Sequence, residues 1–128
     1  MERVKGIGGI FFKSERPPEL YAWYEKHLGL KREAGGVVLF PWRYDGDDSR
    51  KAFTVWSLFP RNTGYFEPSR SSFMVNYIVD DLDNLLMVLR EEGVEIDEKR
   101  EDSEYGRFAW IMDPEGNRIE LWEPPRER

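Results

Sequence analysis

The sequence predicts an α+β domain built from two similar halves, and three observations support this. At 128 residues, with 40% hydrophobic and 15% aromatic residues, the chain is long and apolar enough for one folded domain with a core. Short runs of aromatic and branched residues alternate with two stretches of helical periodicity. Gly29 and Gly93 end those two stretches in similar contexts, 93 − 29 = 64 residues apart, which indicates an internal repeat.

The first half has one predicted helix between predicted strands. Pro17 and Pro18 open the helix, because a missing N–H costs little in the first turn, and Gly29 ends it. Glycines loosen the start of the first strand, which often marks close approach of a ligand or another backbone. The helical spacing is carried by Leu20, Trp23, Tyr24, His27 and Leu28. The predicted strands are 4–13, 37–42 and 52–59, with an acidic turn at 45–48 and a loop at 62–72.

The second half repeats this order. Asp80 or Asp81 caps a helix that Gly93 ends. A clear apolar stripe at i, i+3, i+4 and i+7 predicts that one helix face is buried. That stripe consists of Leu82, Leu85, Leu86 and Leu89. A strand is predicted over 73–79 and a short one over 94–99, followed by a polar stretch over 100–106 and a final hairpin over 107–124.

The final hairpin contains the residue that matters most for function. Its turn, 113–116, has proline at the second position and glycine at the fourth. In the last strand Ile119 and Leu121 point one way, whereas Arg118, Glu120 and Trp122 point the other. Glu120 is therefore either a solvated residue or the floor of a site.

Composition and charge exclude several classes of function. The net charge of −6 and the pI near 4.9 disfavour nucleic acid as a partner, which requires a basic surface. The acidity is ordinary for a cytosolic protein, or it suits a cationic ligand. There is no cysteine, hence no disulfide or thiolate site. No apolar run approaches the roughly 20 residues that span a bilayer, and no signal peptide is seen, so we expect no membrane partner and a cytoplasmic location.

Two stretches match a known family. GGIFFKSERPPELYAWYEKHLGL (8–30) and YGRFAWIMDPEGNRIELWEP (105–124) resemble the vicinal oxygen chelate superfamily, which includes glyoxalase I, the bleomycin-resistance proteins, the fosfomycin-resistance enzymes and the extradiol dioxygenases. The resemblance covers nearly the whole chain. It implies one glyoxalase-like domain over 1–128, made of two βαβββ modules at about 1–64 and 65–128. Their mixed sheets would curl around a cleft, with one helix outside each, and modules from one chain or from two would line each site.

The resemblance also implies where a divalent metal would bind. Family members use His, Gln or Glu on cleft-facing strands, and Glu120 falls on the glutamate of the final strand. The other positions fall by register on Gly9 or Gly8, on Val55 or Trp56, and on Met74. None of these is a ligand, and catalytic metals usually need three protein ligands or more, so no metal site and no cofactor are expected. The only histidine, His27, is placed on a helix.

Side-chain alternation predicts the residues that line the cleft. Apolar walls with a few placed polar groups are typical of small-molecule pockets. The alternative is that the aromatics only fill the core between the modules, and that Glu120 is paired with Arg118, Lys13 or Arg107. The candidate ligand-binding residues are Phe11, Lys13, Trp56, Met74, Asn76, Phe108, Trp110, Glu120 and Trp122.

Three functional hypotheses follow. The first is a metal-free, homodimeric binding protein of the bleomycin-resistance type, which holds an aromatic or cationic organic molecule with Glu120 as counter-charge. The second is a metal-dependent lyase or dioxygenase of the glyoxalase type, in which Glu120 is a metal ligand or a general base. The third is a protein that binds no ligand and only dimerises.

Overall fold

The structure, a computed structural model, describes residues 3–126 as one open, mixed sheet of seven strands with two helices on its outer face. This confirms the α+β fold class. In chain order the elements are β1 (Gly6–Ser14), α1 (Pro17–Leu28), β2 (Val38–Tyr44), β3 (Asp47–Pro60), β4 (Phe73–Ile78), α2 (Leu82–Glu91), β5 (Glu95–Ser103), β6 (Gly106–Met112) and β7 (Arg118–Glu123). The strand order across the sheet is β2-β3-β1-β4-β7-β6-β5.

The two halves of the chain are built alike and meet in the middle of the sheet. In each half the first strand is parallel to the last one, as β1 is to β3 and β4 is to β7. The antiparallel pair of β1 with β4 joins the halves, so a single chain supplies both sides of the cleft. The first half has one strand fewer, because residues 29–37 run without regular structure where the second half forms β5.

Helix α1 packs on the sheet with only part of the predicted apolar stripe, together with Tyr21, which lies outside that stripe. The buried residue is Tyr21, whose hydroxyl accepts a hydrogen bond from the backbone N–H of Leu58 at 2.8 Å. The ring of Trp56 packs against α1, 4.7 Å from the ring of Tyr24. Trp23 and Leu28 are instead 51% and 61% exposed. A hydrogen-bonding hydroxyl allows tyrosine to reach the sheet backbone, which counting apolar residues does not reveal.

Helix α2 packs as predicted. Its N-terminus is capped by Asp81, whose carboxylate accepts the backbone N–H of Asn84 at 3.1 Å. The leucine stripe packs on the outward residues of the second half-sheet, so the alternation predicted for β7 is confirmed on this face. The buried residues of this cluster are Val79, Leu82, Leu85, Leu86, Ala109 and Leu121.

Two strands are longer than the sequence predicts. β3 begins at Asp47 instead of residue 52, directly after a turn in which Gly46 has a φ of +79°. β5 runs through the polar stretch after residue 99 and ends at Ser103. Both segments are rich in charged residues, while their backbones pair with β2 and β6. Polar composition hid these strands, because backbone pairing does not require apolar side chains.

Candidate functional site

The centre of the cleft is a row of four residues on the four central strands. Gly9 of β1 pairs with Val55 of β3 on one side and with Asn76 of β4 on the other. Asn76 in turn pairs with Glu120 of β7. The row corrects one predicted position, because Asn76 and not Met74 lies level with Glu120. The unbroken pairing of β4 with β7 fixes this level.

Glu120 faces the cleft and is 2% exposed, so it is not a solvated residue. Its carboxylate accepts three hydrogen bonds from neutral donors. Asn76 Nδ2 donates to Oε2 at 2.5 Å, Trp110 Nε1 donates to Oε1 at 3.1 Å, and the hydroxyl of Tyr65 also donates to Oε1. The alternative prediction, in which Glu120 pairs with Arg118, Lys13 or Arg107, is therefore wrong. Burying a carboxylate without hydrogen-bond donors would be very costly, and these three donors offset that cost.

Arg118 is two residues from Glu120 on β7, but it forms its hydrogen bonds with other groups. Its Nη2 donates to Asp97 at 3.0 Å, its Nη1 donates to the backbone carbonyl of Tyr65 at 2.6 Å, and its guanidinium lies 4.9 Å from the ring centroid of Trp110. The backbone N–H of Lys99 has the largest effect on the pKa of Asp97 and lowers it. Burial opposes this effect, and the hydrogen bond and charge of Arg118 lower the pKa further, so it lies below its usual range. Arg118 therefore fastens the loop before β4 to the second half of the sheet.

The loop that connects the two halves, residues 61–72, fills the space above Glu120. Tyr65 stacks on Phe59 with 5.4 Å between ring centroids and 7° between ring planes, and meets Trp110 edge-on at 6.3 Å. Phe66 is fully buried beside it, and Lys13 Nζ lies 5.5 Å from the Phe66 ring centroid. Burial and the carboxylate of Glu120 raise the pKa of the Tyr65 phenol above its usual range, so the phenol keeps its proton and donates. We call this segment the plug loop.

The plug loop contributes site residues that the sequence reasoning missed. Tyr65 and Phe66 stand in a run of turn formers, without the alternation that reveals strand residues. The available signal was two adjacent aromatics in an otherwise polar loop. Such residues need an apolar surface to cover them, and an aromatic cleft provides one.

Most of the predicted cleft residues come together, and one does not. Phe11, Met74 and Trp110 form one buried cluster with Phe66. The rings of Phe108 and Trp122 stack at 5.8 Å with 5° between their planes. Asn76 and Glu120 lie in the central row, and Lys13 lies beside the plug loop. Trp56 is on the opposite face of the sheet, because it pairs with Ile10 and packs on α1.

Glycine at the start of β1 allows the close approach that the sequence suggested. A Cβ on Gly8 would overlap Asn76 Oδ1 and come within 2.9 Å of Cε3 of Trp122. A Cβ on Gly6 would come within 2.5 Å of the ring of Trp42. The absence of a side chain at Gly8 therefore lets Asn76 of β4 and Trp122 of β7 pack closely over β1.

A separate, open cavity of about 510 Å³ lies at the other end of the cleft. Its floor is formed by Ala52 and Ile78, and its aromatic walls include Tyr44 and Trp122. Unlike Glu120, which the plug loop covers, this cavity opens to solvent. It is lined by Tyr44, Asp47, Ser49, Arg50, Lys51, Ala52, Phe53, Ile78, Trp122, Pro124, Pro125 and Arg126.

The residues of the central row do not fit a catalytic divalent metal. Gly9 and Val55 have no side-chain donor atom, and both oxygens of Glu120 already accept protein hydrogen bonds. Asn76 Oδ1 is buried without a hydrogen-bond partner in the described structure, but it is a single neutral oxygen. Within residues 3–126, no three His, Cys, Asp or Glu residues cluster as a metal site would require. His27 lies on the surface of α1, with its ring centroid 4.8 Å from that of Trp23.

Comparisons with known proteins agree on the fold. A family model described as the Glyoxalase/Bleomycin resistance protein/Dioxygenase superfamily matches residues 14–121. No curated protein gives a significant match. Among the described residues, no helix is long and apolar enough to cross a membrane.

Solved structures with similar folds share little sequence with this chain. A Streptomyces coelicolor methylmalonyl-CoA epimerase variant in complex with 2-nitronate-propionyl-CoA has a TM-score of 0.65 at 16% identity, covering 96% of this chain and 99% of its own. The Mycobacterium tuberculosis methylmalonyl-CoA epimerase has a TM-score of 0.59 at 20% identity, covering 96% and 90%. A glyoxalase/bleomycin resistance protein/dioxygenase superfamily member from Vibrio splendidus 12B01 has a TM-score of 0.58 at 13% identity, covering 89% and 95%.

Proposed function

The chain belongs to the Glyoxalase/Bleomycin resistance protein/Dioxygenase superfamily, and we propose that it is a small-molecule-binding protein that holds an aromatic ligand in the cleft without a catalytic metal. The observation that carries this proposal is the position of Tyr65. Its ring stacks on Phe59 and meets Trp110 edge-on, while its hydroxyl donates to Glu120. The cleft thus already receives a planar ring with a hydrogen-bond donor, supplied by the protein itself.

We propose that a ligand takes the place of Tyr65 when the plug loop moves outward. Such a ligand would stack on Phe59 and donate to Glu120. Aromatic ligands with an O–H or N–H group satisfy both requirements.

The charges around the cleft refine the expected ligand. Lys99 Nζ lies 5.0 Å and the guanidinium of Arg118 4.9 Å from the ring centroid of Trp110. Together with Lys13 these cations balance the carboxylates of Glu120, Asp97 and Glu101, so the site carries little net charge. A neutral donor such as a phenol is therefore favoured over a permanently cationic ligand, although a cation would still be attracted by Glu120.

The recognition step can be tested by removing Tyr65 and adding its side chain back. In Tyr65→Gly the vacated space matches p-cresol, which carries the hydroxyl, and toluene, which lacks it. We expect p-cresol to raise the melting temperature of this variant clearly more than toluene does, because only p-cresol can donate to Glu120. Tyr105→Gly, the same change at a residue that is 69% exposed, is the matched control and should show no such difference. Equal stabilisation by both compounds, or none, would contradict the proposal.

The enzymatic alternative makes a different demand on the central row. A metal-dependent lyase or dioxygenase needs about three protein ligands around its metal, whereas Gly9 and Val55 have no side-chain donor and Asn76 offers a single neutral oxygen beside Glu120. Elemental analysis of protein purified without chelator should find no divalent metal at a one-to-one ratio. A tightly held metal at that ratio would favour the enzyme.

We also propose that the protein forms a homodimer. Ile7, Ile10 and Phe73 on the central strands are 43%, 37% and 44% exposed. Ile7 pairs with Tyr77 and Ile10 with Val75, which places them on the outer face between the two helices. A second chain would cover this apolar strip. Sedimentation should show a dimer that Ile10→Lys weakens and that the control Leu28→Lys does not; a wild-type monomer at micromolar concentration would refute it.

A further inference from the structure

The open cavity at the far end of the cleft carries a second inference. We propose that it is a binding site for a planar aromatic carboxylate, separate from the site at Glu120. Nothing about the plug loop has to change for this cavity to be occupied, because Tyr65 and Phe66 are not among its lining residues. The proposal goes beyond the function proposed above, which concerns donor-bearing ligands at the covered carboxylate.

The shape and walls of the cavity favour a flat ring. Its volume of about 510 Å³ lies within the range of small-molecule sites. Tyr44 is buried and stacks on Trp42, with 5.4 Å between centroids and 23° between planes. Trp122 is held by its Nε1, which donates to the backbone carbonyl of Tyr105 at 2.8 Å, and by its stack on Phe108. Rigid rings of this kind lose little entropy when they contact a ligand.

The charge of the cavity is opposite to that of the whole protein. Arg50, Lys51 and Arg126 line it together with a single described acidic residue, Asp47, so the lining described carries 3 − 1 = +2. The whole chain carries −6. The carboxylate of Asp47 is engaged locally by the hydroxyl of Ser49 at 2.6 Å. A local excess of cations in an acidic protein attracts anionic ligands.

Arg50 is the fixed anchor of this charge. Its Nη1 donates to Asp80 at 2.9 Å, and its guanidinium lies 3.9 Å from the ring centroid of Tyr44. Lys5 Nζ lies 3.3 Å from the other oxygen of Asp80, so Arg50 shares this carboxylate with a second cation. The planar fork of arginine matches a carboxylate, and Asp80 occupies only one side of it.

Three isosteric probes test both the shape and the sign of the charge. By isothermal titration calorimetry at low salt we expect 2-naphthoate to bind at least about tenfold more tightly than 2-naphthylmethylammonium, with neutral 2-naphthamide between them. Raising the ionic strength from about 0.02 M to about 0.3 M should weaken 2-naphthoate binding, because salt screens exposed charges. Preference for the cation, or no binding of any probe at about 1 mM, where the free energy is about −4 kcal/mol, would overturn the proposal.

Variants then locate the site. Arg50→Gln should weaken 2-naphthoate binding about tenfold, and Lys51→Gln should weaken it by a smaller factor. Arg61→Gln removes the same charge from an exposed position outside the cavity and should leave affinity unchanged. Lys51 is exposed, so its variant keeps the test valid if Arg50→Gln fails to fold. Unchanged affinity in both cavity variants would show that 2-naphthoate binds elsewhere and would refute the site.

Discussion

Replacing Glu120 separates what its carboxylate does for the fold from what it does for a ligand. Glu120→Leu keeps side-chain bulk but removes the acceptor for the Tyr65 hydroxyl, the Asn76 amide and the Trp110 indole N–H. Each donor left buried without an acceptor costs about 1–3 kcal/mol, so three of them predict a loss of about 3–9 kcal/mol. Losing a buried charge offsets part of this, so we expect a value near the lower end, roughly 3 kcal/mol.

Glu120→Gln should be far milder, because the hydrogen bonds can be kept. The amide oxygen of glutamine can stay at the Oε1 position, where it accepts from Tyr65 and Trp110. Asn76 can turn its amide so that Oδ1, which has no partner in the described structure, accepts from the new NH₂ group. Three charged hydrogen bonds become neutral at about 1 kcal/mol each, and the lower cost of burying a neutral group opposes this, so we expect a net loss below about 1.5 kcal/mol.

Urea unfolding followed by tryptophan fluorescence measures both values. Wild type and the two Glu120 variants should unfold with equal m-values, so that differences in midpoint report stability alone. Glu120→Gln should also reduce p-cresol binding in the Tyr65→Gly background, because a neutral acceptor is weaker than a charged one. The reasoning is refuted if both Glu120 variants lose the same stability, or if Glu120→Leu loses none.

Two further predictions concern the frame of the site. Gly106→Ala should destabilise the protein by more than about 1 kcal/mol, because Gly106 has a φ of +119° and a Cβ would overlap the carbonyl oxygen of Glu123, whereas Gly35→Ala, into open space, should change stability by less than about 0.5 kcal/mol. The pKa of Asp97 is held low by the backbone N–H of Lys99 and then by Arg118, so this carboxylate contributes stability above its unfolded pKa that is lost as the pH falls through the folded one. Asp97→Asn should therefore flatten the stability profile below about pH 4, as measured by urea unfolding at several pH values; a wild-type slope in that variant would contradict this.

The sequence predicted the second half of the site well, because side chains alternate between the two faces of a regular strand. Alternation placed Glu120 and Trp122 inward and Ile119 and Leu121 outward, and β7 has this arrangement. The pattern is reliable here because the leucines of α2 cover one face of β7 and the other face lines the cleft. A strand with both faces defined leaves no choice of register.

The sequence did not predict the features that leave no periodic pattern of apolar residues. The residue level with Glu120 is set by the pairing of β4 with β7, two segments that are distant in sequence, so it could not be counted from the sequence alone. The facing of Trp56 was uncertain by one residue, and it lies on the face covered by α1. The plug loop has no repeat that would reveal its path, and its place in the cleft depends on contacts distant in sequence, such as Tyr65 with Glu120.

The insertion of Tyr65 has a consequence for any measurement of affinity on this protein. A compound that occupies the space of Tyr65 can bind only to molecules in which the plug loop has moved outward. Its apparent dissociation constant is therefore the intrinsic constant divided by the fraction of molecules in this open state. If about 1% are open, a compound with an intrinsic constant of about 1 μM is measured at about 100 μM. Compounds that bind wild type weakly are therefore worth measuring again on Tyr65→Gly, in which the competing side chain is gone. The ratio of the dissociation constants for wild type and Tyr65→Gly then reports the fraction of wild-type molecules in which the loop is open.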